Sequence, residues 1–141
     1  MSTKRFVAVS LMIAAVLLAA ACSGGGTPGA EKVIKSTKSG DLTVTLASST
    51  GEVKSGENEL IISFTDVSGN PVDVGAASLN FHMAGMGTMA EMNDKATLTT
   101  TKTPGKYRAT VEIEMSSTWE AVVNYEGPHG SGQARMTVNV K

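Results

Sequence analysis

The chain contains a single cysteine, Cys22, among 141 residues, so no disulfide can close within it. Aromatic residues make up only 4%. Neither sign of charge is in excess: 12 Lys and Arg stand against 13 Asp and Glu, for a net charge of −1. Without a basic stripe or a marked positive charge there is no electrostatic footprint for nucleic acid. Long apolar runs are also missing. The one continuous stretch, Phe6 to Ala21, has 16 residues, short of the roughly 20 that a helix needs to cross a bilayer. Catalytic signatures are scarce too, with no nucleophile motif and no Glu and His at metalloprotease spacing. Glu112 and Glu114 lie at positions that read as a solvated strand face. The chain is therefore not expected to be an enzyme.

What is present begins with Lys4 and Arg5 ahead of that apolar run, which closes on small residues in the manner of a secretory signal. Leu18-Ala19-Ala20-Ala21-Cys22 resembles the lipobox of bacterial lipoproteins, which implies cleavage before Cys22 and lipid on its sulfur. Lipidation would consume the only thiol, leaving His, Met and carboxylates as metal ligands. Removal of residues 1–21 takes Lys4 and Arg5 with it, leaving 120 residues with 10 basic and 13 acidic side chains, a net charge of −3. That length supports one domain. The expected organisation is a signal peptide at 1–21, a lipid-anchored cysteine with a flexible tether at 22–40, and a single domain at 41–141. The expected location is the exported face of a membrane: periplasm or outer membrane if the host has two membranes, otherwise the outer face of the cell membrane.

From Asp41 onward, short apolar alternations are split by Gly, Asn, Pro and Asp. Leu42, Val44 and Leu46 alternate with threonines, and Leu60, Ile62 and Phe64 follow in a second run. Ala77, Leu79 and Phe81 form a third run and Thr97 to Thr101 a short β-branched fourth; Tyr107, Ala109, Val111, Ile113 and Met115 form a fifth; Trp119, Ala121, Val123 and Tyr125 a sixth; Met136, Val138 and Val140 the last. A period of two is the signature of half-buried antiparallel strands. About seven such strands in roughly a hundred residues, with no long helix, predict an all-β, immunoglobulin-like β-sandwich.

One segment departs from this pattern. His82-Met83-Ala84-Gly85-Met86-Gly87-Thr88-Met89-Ala90-Glu91-Met92 places four of the chain's eight methionines within ten residues, interleaved with Gly and Ala that cannot wall a core. Thioether sulfur with imidazole nitrogen selects Cu(I), whereas Mg²⁺ and Ca²⁺ want oxygen. The candidate ligands are Met83, Met86, Met89 and Met92, with His82 as a nitrogen donor. A spacing of three alternates faces on a regular strand. Convergence then requires either a glycine-hinged loop or a short helical turn through Thr88 to Asn93. Met115 is a further candidate, and Trp119 four residues later could shield a bound cation. Both also read as core residues capping the sandwich. The competing reading of the whole segment is a metal-free contact surface, since flexible methionines suit adaptable protein contacts. His129, in a Gly-rich turn, reads as a solvated residue.

Four pieces in order carry a family resemblance: Asn70-Pro71-Val72, Met83-Ala84-Gly85-Met86-Gly87, Gly105-Lys106-Tyr107-Arg108-Ala109 and Met115-Ser116-Ser117-Thr118-Trp119. From Asp41 to Lys141 the chain resembles the YtkA-like domain family of small exported bacterial domains. It departs from the family pattern at Ala84, where proline is common, and at Ser116-Ser117. The resemblance implies an immunoglobulin-like sandwich and an association with copper handling and membrane-protein assembly. The combined expectation is a lipid-anchored protein that captures Cu(I) and passes it to an envelope protein partner.

Overall fold

A computed structural model describes residues 31–141. The signal peptide and Cys22 lie outside the described residues. Nine strands follow one another: β1 (Lys32–Ser39), β2 (Leu42–Ser48), β3 (Gly56–Thr65), β4 (Ala76–Met83), β5 (Met92–Lys95), β6 (Thr97–Thr100), β7 (Lys106–Ile113), β8 (Thr118–Gly127) and β9 (Gly130–Asn139). They form a five-stranded sheet, β1-β2-β3-β7-β6, and a four-stranded sheet, β5-β4-β8-β9, with every pairing antiparallel. With β1 set aside, these orders are A-B-E-D and C′-C-F-G in immunoglobulin lettering. The expected all-β sandwich is the observed one.

The alternation read along the chain builds the core directly. Leu60, Ile62 and Phe64 of β3 face Leu79 and Phe81 of β4 and Trp119, Ala121 and Val123 of β8 in one buried cluster. Phe64 meets Tyr107 of its own sheet and Tyr125 of the facing sheet edge-on, at centroid distances of 5.7 and 5.4 Å, so three of the six aromatic rings form one cluster. Two strands exceed the expected set. β1 occupies much of the stretch read as tether, which puts the start of the domain at Lys32 rather than Asp41. Its closing residue, Ser39, hydrogen-bonds the Tyr125 hydroxyl at 2.9 Å and donates to the Gln133 carbonyl at 3.1 Å, so β1 covers the flank beside β9. The second, β5, lies where a helical turn was one option. Thr88 to Asn93 contains no helix and instead forms the returning arm of a hairpin.

On the opposite flank the chain leaves β5 for β6 through Ala96, whose N–H donates to the Leu79 carbonyl at 3.0 Å. That single residue carries the chain from one sheet to the other. The β4–β5 hairpin therefore stands at one end of the sandwich. The same end carries the 49–55 and 114–117 loops and the C-terminus: the Val140 N–H bonds the Ser117 carbonyl at 2.8 Å, and Asp94 accepts the Glu114 N–H at 3.2 Å.

Candidate functional site

The methionine segment is a two-residue β-hairpin. Met86 and Met89 face each other across the turn and exchange both backbone bonds, Met86 N–H to Met89 O at 3.1 Å and Met89 N–H to Met86 O at 2.9 Å. A turn this tight, matched to strand twist, needs a positive φ at its first central position, and Gly87 supplies it at +58°. Gly85 serves a different purpose: a Cβ there would lie 3.0 Å from the Met89 carbonyl, so the two arms approach closely only because the position has no side chain. Met83 is paired directly with Met92, His82 with Asn93.

Hairpin pairing turns a period of three into two rungs of methionine on opposite faces. Met83 points into the core and is 4% exposed, and Met92 packs partly buried against the same cluster. Met86 and Met89 stand beyond the sandwich, 66% and 44% exposed. A pair exchanging both hydrogen bonds has its Cα atoms about 5.5 Å apart. At that spacing two flexible thioether side chains can close on one small soft ion.

The other candidates do not join this rung. His82 shares the outward parity of Met86, but it lies four residues further down the arm, about 13 Å at the usual strand rise. His82 thus stands at the base of the hairpin and the exposed methionine pair at its tip. The His82 Nδ1 lies 3.0 Å from Asn93 Oδ1, an atom that only accepts, so Nδ1 donates there. Asn80 Nδ2 donates to the same oxygen at 3.2 Å. Met115 lies in the turn after β7, partly buried against the core, and its carbonyl accepts the Trp119 indole N–H at 3.0 Å. Trp119 is fully buried, a core residue whose one polar group is satisfied locally. Asn93 was not singled out by the sequence, because its partnership with His82 follows from strand register alone.

Around the tip, a shallow groove along β5 is lined by Met89, Met92, Asn93 and the carboxylates Glu91, Asp94 and Glu114. Their negative field favours a cation nearby. Among the described residues no three His, Cys, Asp or Glu side chains gather in a way that could hold a metal. A groove of about 690 Å³ lies elsewhere, on the outer face of the five-stranded sheet. Four of its charged side chains pair with one another: Lys106 with Glu31 at 2.8 Å and Arg108 with Glu59 at 3.4 Å.

A small antiparallel sandwich with a methionine hairpin at one end defines the class. The YtkA-like family model matches residues 36–124, from the middle of β1 into β8, and so includes the hairpin and Trp119. The chain belongs to the YtkA-like family. Searches of curated proteins and of solved structures returned no match.

Proposed function

We propose that this chain is an exported, lipid-anchored binding protein that captures Cu(I) between Met86 and Met89 and passes it to an envelope protein partner. The observation that carries the reading is the tip rung itself: two thioethers opposite each other, both exposed, on a hairpin pinned by two backbone hydrogen bonds. Soft, neutral sulfur ligands suit Cu(I), and a two-ligand site open to solvent leaves room for a receiving protein's own ligands. Exchange by ligand addition fits transfer better than storage. Anchorage through Cys22 and the Gly-rich stretch after it would hold the domain close to a membrane surface, within roughly 15 Å for an eight-residue tether.

A second reading draws on the same exposure: a methionine tip can be an adaptable contact surface with no metal. The discriminating experiment is a Cu(I) titration under reducing conditions against a competing chelator, run on the wild type and on Met86→Leu/Met89→Leu, together with an envelope-protein pull-down. Copper uptake lost in the variant supports the first reading. Absence of copper uptake by either protein, with a pull-down that the substitutions abolish, establishes the second.

A further inference from the structure

We infer that Met86 and Met89 are a paired oxidation site for peroxide-class and hypohalous oxidants, and that oxidation there releases the bound metal. The inference rests on the Cu(I) reading for its output, while the oxidation itself rests on exposure alone. Thioether oxidation requires an oxidant to reach a sulfur lone pair. Within one hairpin access is graded: the tip pair is 66% and 44% exposed, Met92 is partly buried, and Met83 is 4% exposed. Met136, on β9, is 2% exposed, so the folded domain carries its own protected reference sulfurs.

The step balances without further reactants. A sulfur lone pair attacks one oxygen of hydrogen peroxide, the O–O bond breaks, and the departing hydroxide takes the remaining proton as water. Sulfur is oxidised by two electrons to the sulfoxide and the peroxide is reduced by two. With hypochlorous acid the leaving group is chloride. The product presents a polar S–O group where a soft donor stood, and oxygen donors suit hard cations rather than Cu(I). Both sulfurs of the rung lie at the same tip, so both ligands are open to the same oxidant. Because neither side chain belongs to the core, the fold does not oppose the change.

The test uses the exported domain in its folded state. Hydrogen peroxide is added to the apo protein, and oxygen uptake is followed by peptide-resolved mass spectrometry. Two oxygens are expected at Met86 and Met89 before any reaches Met83 or Met136. Chelator competition on the doubly oxidised protein is expected to show a loss of Cu(I) affinity exceeding the roughly 10- to 100-fold that removal of an outer-shell partner costs. Methionine sulfoxide reductases acting on both epimers are expected to restore mass and affinity together. The Met86→Leu/Met89→Leu variant should skip the fast phase, which assigns that phase to the tip. Oxidation of Met83 at a rate equal to that of the tip pair, or undiminished copper affinity after double oxidation, overturns the inference while leaving the copper reading intact. Failure of the reduced protein to bind Cu(I) removes the copper reading, and the switch with it.

Discussion

Met83 with Met92 and Met86 with Met89 are the same chemical pair placed three residues apart on one hairpin, yet the fold uses them in opposite ways. The inner rung belongs to the core; the outer rung belongs to solvent. Composition cannot distinguish them, since all four are flexible thioethers flanked by small or polar residues. Strand parity and distance from the sheet do. A methionine that faces inward at the end of β4 fills space between two sheets, whereas the same side chain past the last regular rung stands largely in solvent. A methionine-rich run is therefore evidence for a metal site only after the buried share has been subtracted.

Substitutions that separate the two rungs should produce effects of very different size. The largest is expected from Met83→Ala, which removes a buried side chain and should cost about 2–5 kcal/mol in urea-induced unfolding, with copper uptake by the folded fraction retained. Gly87→Ala comes next. The turn needs φ at +58° and a Cβ there meets no atom within 4 Å, so the cost is conformational and about 1–2 kcal/mol. Because it loosens the tip rung, this variant should also weaken Cu(I) binding, a coupling that Met83→Ala should not show.

The far end of the sandwich provides a control for both. The Tyr107 hydroxyl donates to the Gly75 carbonyl at 2.7 Å, and burial, with Asp73 nearby, raises its pKa above the ordinary phenol value. The folded protein holds that proton to higher pH than the unfolded chain does. Its contribution to stability is thus intact below about pH 10 and lost as pH climbs through the folded pKa. Tyr107→Phe is expected to cost about 0.5–1.5 kcal/mol near neutrality, to flatten the alkaline decline and to leave copper uptake unchanged. The smallest stability effect belongs to Met86→Leu and Met89→Leu, each within about 0.5 kcal/mol of wild type by urea titration.

Much of the sandwich was legible in the sequence because its strands are amphipathic with a period of two. Val44, Leu46, Leu60, Ile62, Phe64, Val111, Ile113 and Val123 all lie where alternation puts them, in the core. β1 escaped notice for a physical reason. It is an edge strand whose run Lys32-Val33-Ile34-Lys35 offers no alternation, and its Val33 is exposed. β5 is only four residues long, Met92-Asn93-Asp94-Lys95, with no β-branched residue, and is held by pairing with β4 rather than by its own propensity. The candidate site was legible as a segment and not as a geometry. Spacing by three suggested sulfurs gathered by a loop, while the Gly87-Thr88 turn folds the segment into a hairpin whose extended arms put Met83 and Met86, three residues apart, on opposite faces. His82, adjacent to Met83 in sequence, thereby lies four residues down the arm from the exposed pair and bonds Asn93 instead.

The most direct test compares two double variants in one Cu(I) titration under reducing conditions against a competing chelator: Met86→Leu/Met89→Leu and Met83→Leu/Met92→Leu, each confirmed folded. The account predicts that the tip variant loses copper uptake while the inner variant retains wild-type affinity and stoichiometry. Equal uptake by both variants, or loss confined to the inner one, would contradict it.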